Sequence, residues 1–211
     1  MTRPLTLDDI LDARAYERVR DDFRARVMAR KRLRRVALGD IMTLVFESVD
    51  TVRFQIQEMA RVEKILTDEG IQGELDVYNR LLPQPGELSA TLFIELTTEA
   101  DLRRWLPQLV GIEEAIAFEL PPGASELSGD PLVASVPEAS HAEALTREAI
   151  TPAVHYLRFP FTPAQVRAFA AGPVALTARH PRYEARADLS ADTRAELLGD
   201  LEGRTEPLSF D

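Results

Sequence analysis

A strand–helix–strand pattern that occurs twice is the feature that most constrains how this chain folds. In the first copy, an alternating apolar strand at 88–96 precedes an amphipathic helix, and a second alternating strand follows at 116–120. In the second copy, strands at 154–159 and 174–180 flank another amphipathic helix. Strands separated by single helices are typical of α/β and α+β architectures, so the pattern predicts two similar β-α-β units on a mixed sheet.

The helices of the two copies align without a gap at an offset of sixty-four positions. Thr98 aligns with Thr162, both residues of a type that caps helix N-termini, and Trp105 aligns with Phe169. Two interpretations fit this alignment. Either the unit is duplicated, or any helix that follows a strand and a cap would align equally well. Duplication predicts that the two helices pack equivalently on their strands.

Residues upstream of the repeat predict helices and one β-hairpin. Apolar residues from Tyr16 to Val27 recur at three- and four-residue spacing, which indicates one buried helix face. Further along, two short apolar strands flank Gly39-Asp40, a pair that favours a two-residue type II′ turn. The predicted fold class is therefore α+β, with a helical N-terminal region and a β-hairpin followed by the two units.

A second apolar stripe predicts a long helix over residues 51–68, with Asp50 as its cap. The stripe consists of Val52, Ile56, Met59, Val62 and Leu66. We expect it to pack on the face of the hairpin that Met42, Leu44 and Phe46 share. That packing places Glu47, which ends the second hairpin strand, beside the first turns of the helix.

These patterns divide the chain into four segments. They are the helical N-terminal region with its hairpin (1–87), the first β-α-β unit (88–120), a Pro-rich excursion (121–152), and the second unit with a C-terminal helix (153–211). Within the excursion, the sequence predicts a short strand at 132–136 and a short helix at 138–148. Ser190 is expected to cap the C-terminal helix, and the acidic tail after Gly203 is expected to be loose.

Composition excludes several classes of site. None of the 211 residues is Cys, so the chain has no disulfide, thiol nucleophile or thiolate metal site. No apolar run approaches the roughly 18 residues that suggest a membrane helix, and the first residues lack the apolar segment of a signal peptide. We therefore expect a cytoplasmic protein that does not enter a membrane.

The charge is distributed unevenly along the chain. Of its 25 basic and 35 acidic residues, residues 1–35 hold eleven basic and six acidic ones, which leaves a charge of −15 on the remainder. We expect Arg30, Lys31, Arg34 and Arg35 to bind an anion, or acidic groups of a protein partner, of this chain itself or of a second copy in a homo-oligomer. The overall acidity, and the lack of aromatic residues among these cations, argue against nucleic acid as the partner.

Polar residues around the predicted long helix form a second candidate site. Glu47, Gln57, Glu58 and Arg61 either line a polar pocket between hairpin and helix, or belong to an ion-paired, solvated helix face. A pocket would bring two carboxylates close enough to share a proton or a cation.

His155 and His180 are candidate metal ligands, because both lie on strands of the second unit that could bring them close together. The alternative is that both are structural histidines on half-buried strands. The sequence contains no Gly-rich phosphate loop, nucleophile elbow or paired-histidine zinc motif. It therefore predicts no cofactor.

Several segments resemble a bacterial family known as domain of unknown function 3501. The resemblance is clearest at residues 24–27 (Arg-Ala-Arg-Val), 43–47 (Thr-Leu-Val-Phe-Glu) and 55–59 (Gln-Ile-Gln-Glu-Met), and residues 88–95 and 154–160 extend it over nearly the whole chain. The family name carries no established activity. The resemblance implies genomic association with rubrerythrin-like and iron–sulfur redox proteins.

Two functions follow as expectations. The leading one is an accessory or interaction protein of an oxidative-stress or metal-redox system, which acts through contact with a rubrerythrin-like or iron–sulfur protein. The rival is a metal- or cofactor-dependent enzyme that uses Glu47, Glu58, His155 and His180. The first is expected to purify free of metal and to bind a partner, whereas the second is expected to carry stoichiometric metal.

Overall fold

The structure, a computed structural model, describes residues 3–121, 130–138 and 150–210. It places two antiparallel sheets and a layer of helices on top of one another, which confirms the α+β class. The helices are α1 (Ala13–Leu33), α2 (Val49–Glu63), α3 (Asp68–Tyr78), α4 (Glu99–Trp105), α5 (Pro163–Ala171) and α6 (Ala191–Leu201). The strands are β1 (Arg35–Leu38), β2 (Met42–Phe46), β3 (Glu87–Ile94), β4 (Ile116–Glu119), β5 (Leu132–Ala134), β6 (Val136–Pro137), β7 (Val154–Pro160), β8 (Ala175–His180) and β9 (Tyr183–Asp188).

The first sheet has the strand order β1-β2-β3-β7-β6 and the second has the order β5-β4-β8-β9. All the strand pairs in both sheets are antiparallel. The N-terminal hairpin therefore continues into the same sheet as the first strand of each predicted β-α-β unit. No helix in the described part of the chain is long and apolar enough to cross a membrane.

The two β-α-β units divide their strands between the two sheets, in place of the one mixed sheet that the pattern predicts. The first strands, β3 and β7, pair in the first sheet, and the second strands, β4 and β8, pair in the second. The lengths explain this arrangement. Helix α4 has 7 residues and spans about 10 Å, which is too short to return the chain along β3, whose 8 residues span about 27 Å.

Both helices of the repeat begin where the sequence predicts. The Thr98 hydroxyl accepts a hydrogen bond from the Asp101 amide at 3.0 Å, and the Thr162 hydroxyl accepts one from the Gln165 amide at 3.2 Å. Corresponding strands of the two units are also direct neighbours. The first strands, β3 and β7, form an antiparallel pair, and so do the second strands, β4 and β8. The first helix ends at Trp105, earlier than residue 109 where its apolar pattern ends.

The hairpin connection is one residue longer than predicted. Leu38 pairs directly with Met42, so Gly39, Asp40 and Ile41 form a three-residue loop. Gly39 has a φ of +70°, a left-handed conformation that glycine adopts without strain. A Cβ at this position would also overlap the Tyr183 hydroxyl, which donates a 2.7 Å hydrogen bond to the Leu38 carbonyl. Glycine is therefore required here for both its conformation and its lack of a side chain.

The main core lies between the two sheets. Phe118 is central to it, with ring centroids 4.9 Å from Phe159, 5.5 Å from Phe46 and 5.9 Å from Phe169 of helix α5. Each fully buried side chain of this size stabilises the fold by about 1.5–3 kcal/mol. Met42, Leu44 and Phe46 belong to this core, so the hairpin face that they share packs on the second sheet. The expectation that this face packs on α2 is wrong.

Helix α2 packs on the opposite face of the first sheet, and it is shorter than predicted. Ser48 caps it in place of Asp50, and it ends at Glu63 because Lys64 adopts a left-handed conformation. Val52 and Ile56 are buried in a smaller cluster with Leu75 of α3. The predicted stripe is wrong at its C-terminal end, where Val62 is 64% exposed and Leu66 is 78% exposed.

Two further segments differ from their predictions. The Pro-rich excursion contributes an edge strand to each sheet, β5 and β6, whereas the helix predicted at 138–148 falls almost entirely outside the described residues. The C-terminal tail is docked on α1 and α2. There Leu208 donates its amide to Asp50 at 2.9 Å, and Phe210 packs on Phe23 with ring centroids 4.7 Å apart.

Candidate functional site

The basic C-terminal half of α1 carries two rows of cations on different sides of the helix. Arg30 and Arg34 are four residues apart and continue the buried face of Phe23 and Val27. Arg24, Met28 and Lys31 share another side, about a quarter turn around the helix axis, since each residue turns the helix by about 100°. The run of basic residues therefore forms two sites with different surroundings.

The first row is buried in a network of ion pairs, which we call the paired cluster: Arg30, Arg34, Asp50, Glu196 and Asp200. Arg34 is 0% exposed and donates to both carboxylate oxygens of Asp200, at 2.7 and 2.8 Å, and to Glu196 at 2.9 Å. Arg30 bonds to Asp50 and lies 3.2 Å from Glu196. These carboxylates lie on α2 and α6, so the acidic partners of this row belong to the same chain.

Asp50 connects the paired cluster to the C-terminal tail. Its carboxylate accepts hydrogen bonds from Arg30, Arg53 and the Leu208 amide. The guanidinium of Arg53 in turn lies 4.5 Å from the centroid of the Phe210 ring. These contacts satisfy the buried charges by joining distant segments, which is a structural role.

The second row borders a cavity of about 770 Å³, which we call the groove. It lies between α1, α2, α3 and the helix-facing side of the first sheet. Its cationic rim consists of Arg24, Lys31, Arg32 and Arg35. Its apolar wall includes Met28, Val45, Val52, Leu81, Phe93 and Val154, and its polar residues are Glu47, Thr51, Gln55, Tyr78, Thr91 and Tyr156. The volume lies within the range of about 300–1,000 Å³ that is usual for small-molecule sites.

Most of the rim cations are available to a ligand. No carboxylate of the described residues forms an ion pair with Arg24, Lys31 or Arg32. The ammonium of Lys31 lies 5.7 Å from the centre of the Phe54 ring, and Arg35 pairs with Glu95 on a half-exposed surface. The rim therefore presents a positive surface whose charge is only partly offset within the protein.

Among the residues that the structure describes, Glu47 is the one carboxylate that lines the groove. It directly follows β2, and its side chain is held by two hydroxyls: Thr51 donates to Oε2 at 2.5 Å and Thr91 donates to Oε1 at 2.6 Å. Glu47 is only 9% exposed, and none of the described Lys, Arg or His residues forms an ion pair with it. As predicted from the hairpin, Glu47 lies beside the first turn of α2.

Two tyrosines lie on the same side of the groove. Burial raises the pKa of Tyr78 and that of Tyr156, and the nearby Tyr78 and Glu47 raise the pKa of Tyr156 further. Both phenols therefore remain neutral across the physiological range, and both side chains line the cavity.

The other three residues of the predicted polar pocket lie elsewhere. Gln57 bonds to the backbone of Leu11, with 2.7 Å from the Leu11 amide to Oε1. Glu58 accepts hydrogen bonds from Arg20 and Tyr16, both at 2.8 Å, and from Arg61 at 3.2 Å.

The predicted pocket with Glu47 does not form because Glu58 is two helical turns beyond Thr51, a rise of about 10 Å. Gln57 and Arg61 lie on another side of α2, where they line a smaller cavity with the N-terminal segment. The hydrogen bond from Arg20, together with those from Tyr16 and Arg61, lowers the pKa of Glu58 to about 2. Glu58 is therefore an ionised structural carboxylate that joins α2 to α1.

The two histidines lie in different sheets, His155 on β7 and His180 on β8. His155 lies 3.1 Å from the Thr151 hydroxyl and 3.8 Å from Glu113. His180 accepts from the Arg182 amide at Nδ1, 3.2 Å away, so its Nε2 carries the proton and donates to the Val110 carbonyl at 3.0 Å. Within the described ranges, no three His, Asp or Glu residues are grouped as metal ligands.

Several groove residues could have been identified from the sequence. Thr91 and Phe93, and likewise Val154 and Tyr156, lie two apart on predicted strands and therefore share a face. That face is the one opposite the apolar residues of the core. Strand alternation therefore places Thr91, Phe93, Val154 and Tyr156 on one face of the sheet. Polar and bulky residues on the face opposite the core indicate a surface that a ligand or another element can contact.

The family described as "Protein of unknown function (DUF3501)" matches residues 4–201, which include the whole groove. A comparison with solved structures finds a protein of unknown function from Burkholderia pseudomallei K96243 that is 37% identical. The match has a TM-score of 0.82 and covers 94% of this chain and 100% of that chain. A comparison with curated proteins finds no match.

Proposed function

This chain belongs to the DUF3501 family of proteins of unknown function, and we propose that it binds a small organic anion in the groove. The observation that carries the proposal is that the rim cations Arg24, Lys31 and Arg32 border a cavity of ligand size without carboxylate partners among the described residues. Arg30 and Arg34 of the paired cluster, by contrast, are saturated by acids of the chain. The contrast separates cations that stabilise the fold from cations that are available for binding.

The composition of the groove supports a ligand with an apolar body. Seven of its lining residues are aliphatic, thioether or phenyl side chains: Ala25, Met28, Val45, Val52, Leu81, Phe93 and Val154. Burying the apolar part of a ligand on such a wall supplies affinity, and the cationic rim fixes the orientation of its charged group. Charge-assisted hydrogen bonds from guanidinium groups suit carboxylate, sulfonate and phosphate equally.

The accessory role beside a rubrerythrin-like or iron–sulfur protein in the cytoplasm is our proposal for the setting in which the ligand is bound. It rests on the family resemblance. The rival proposal, an enzyme with a carboxylate and histidine site, has less support, because Glu47 and Glu58 lie apart and His155 and His180 lie in different sheets.

Anilinonaphthalene sulfonate, a fluorescent anion with an apolar body, provides a direct test. We expect it to bind with one-to-one stoichiometry. Replacing Arg24, Lys31 and Arg32 together with Ala should weaken binding by about tenfold or more, since each tenfold corresponds to about 1.4 kcal/mol. The apparent stability should change little, because all three are partly or fully exposed.

Arg18→Ala is the matched control, because Arg18 is an exposed arginine of α1 that does not line the groove. It should leave probe affinity unchanged. Equal affinity of the wild-type chain and the triple variant, in proteins with the same thermal midpoint, would refute an anion site in the groove.

A further inference from the structure

Glu47 is a buried carboxylate whose charge is not balanced by a cation of the described chain. Only the hydroxyls of Thr51 and Thr91 donate to it, at 2.5 and 2.6 Å. Taking a carboxylate out of water is unfavourable unless a counter-charge or several donors replace the lost hydration. In the paired cluster each carboxylate has an arginine as its counter-charge. Glu47 differs, because the two donors that hold it are neutral hydroxyls.

Each Glu47 oxygen retains acceptor capacity that the two threonines do not use. A carboxylate has about four acceptor sites, and the two hydroxyls occupy one on each oxygen. Because Glu47, Thr51 and Thr91 all line the groove, the remaining capacity is available to a group inside the cavity. A donor on the ligand would complete the coordination of the carboxylate.

Tyr78 and Tyr156 make an ammonium group the most suitable donor. Both rings line the groove, and Tyr156 lies directly opposite Thr91, a hydrogen-bond donor to Glu47, in the pairing of β3 with β7. A cation near aromatic faces is stabilised by the ring quadrupole, more strongly when it is removed from water. A carboxylate that lines a cavity together with two tyrosine rings is therefore a favourable site for an organic ammonium ion.

We infer that the ligand of the groove is a zwitterion with separated charges. Its anionic group binds the rim cations Arg24, Lys31 and Arg32, its apolar body lies along the wall, and its ammonium group binds Glu47 in the cavity that Tyr78 and Tyr156 also line. This inference rests on the proposed anion site and adds the recognition of a second, opposite charge. Glu47 is thus a specificity-determining residue.

Straight-chain ω-amino acids test the inference against matched fatty acids. The probes are aminohexanoate, aminooctanoate and aminododecanoate, each paired with the fatty acid of the same carbon number, and each measured by displacement of anilinonaphthalene sulfonate. If the protein supplied no counter-charge, the ammonium group would weaken binding, because burying an unpaired charge in an apolar cavity is unfavourable. We therefore expect the amino acid of the best-fitting length to bind about tenfold more tightly than its fatty acid, which one charge-assisted hydrogen bond accounts for.

Glu47→Gln removes the charge while keeping the size of the side chain. It should abolish the preference for the amino acid and leave the affinity of the fatty acid within about twofold, since each tenfold corresponds to about 1.4 kcal/mol. Glu63→Gln, at the exposed end of α2, is the control and should retain the preference. If Glu47→Gln does not fold, the wild-type comparison across the three lengths decides alone.

The outcomes separate this inference from the proposed function. Fatty acids that displace the probe as well as, or better than, the amino acids at every length overturn the zwitterion and leave the anion site intact. A preference that survives Glu47→Gln in a folded variant overturns the role of Glu47. Failure of the probe itself to bind overturns both.

Discussion

The two rows of cations on α1 show how the same residue type takes opposite roles within a few positions. Arg34 is completely buried and bonded to two carboxylates, whereas Arg24 and Arg32 are exposed at the groove with no carboxylate partner in the described chain. The difference arises from helical periodicity, because one row continues the buried face and the other does not. This run of basic residues therefore has two parts, one that stabilises the fold and one that we propose binds a ligand.

The largest expected effect concerns the paired side of this comparison. Arg34→Ala leaves Asp200 and Glu196 without their main counter-charge in a buried position. Removing one partner of a buried ion pair destabilises a protein by about 3–5 kcal/mol. We expect a loss of this size in the free energy of unfolding, measured by urea titration.

Arg103→Ala provides the comparison for an exposed pair. Its ion pair with Glu99 leaves both side chains highly exposed, at 79% and 77%, and such pairs contribute about 0–1 kcal/mol. If Arg34→Ala and Arg103→Ala lost similar, small amounts of unfolding free energy, the paired cluster would not stabilise the fold as a buried ion-pair network.

An intermediate effect is expected at Glu58, where α1 and α2 are joined by partly buried groups. Its pKa is lowered from 4.5 to about 2 by Arg20, Tyr16 and Arg61. A carboxyl with a lowered folded-state pKa stabilises the fold above its unfolded pKa and loses that contribution as the pH falls. The difference in unfolding free energy between wild type and Glu58→Gln should therefore be constant above about pH 5 and shrink as the pH falls toward 2.

Glu63→Gln is the matched control for this measurement, since Glu63 is exposed on the same helix and has no ion pair among the described residues. Its effect should be small and nearly independent of pH. A pH-independent effect of Glu58→Gln would show that the carboxylate does not act through its charge.

The smallest effect is the response to salt, and it separates the two rows most cleanly. Raising the ionic strength from about 0.05 to 0.5 M should weaken binding of anilinonaphthalene sulfonate by a few-fold, because exposed charges are screened. The destabilisation caused by Arg34→Ala should change little, because buried pairs are screened much less. Salt-independent probe binding would assign the affinity to the apolar wall alone.

Local patterns predicted the secondary structure better than they predicted the packing. The caps at Thr98, Thr162 and Ser190 were correct because side-chain capping depends on only a few neighbouring residues. The strand β9 was missed, since its inward positions hold Tyr183 and two alanines, a weak apolar alternation. Which face of the hairpin meets α2 was predicted wrongly, because both faces carry apolar residues and only the second sheet decides between them.

The sequence indicates which charged residues are candidates for the site, but it does not indicate which of them lie together in the folded chain. The placement of Glu47 at the start of α2 was correct, whereas the binding role of the basic run stays a prediction. Of the two alternatives at Glu58, the ion-paired helix face is correct in its pair with Arg61, and the pocket with Glu47 is wrong. The other partners of Glu58, Arg20 and Tyr16, lie about forty positions earlier in the chain. Contacts over such distances depend on how the helices pack, which no local spacing encodes.

The paired cluster also has a consequence for how the protein is made. Arg34 and Asp200 are separated by 166 positions, and Arg30 contacts the carbonyl of Glu206 across 176. At about 5–20 residues per second, the ribosome needs about 10–30 s to synthesise the chain between Arg34 and Asp200. During that time Arg34 exists without Glu196 and Asp200, and Asp50 is the one carboxylate of the paired cluster that has already been made. The paired cluster is therefore completed only after α6 has been synthesised.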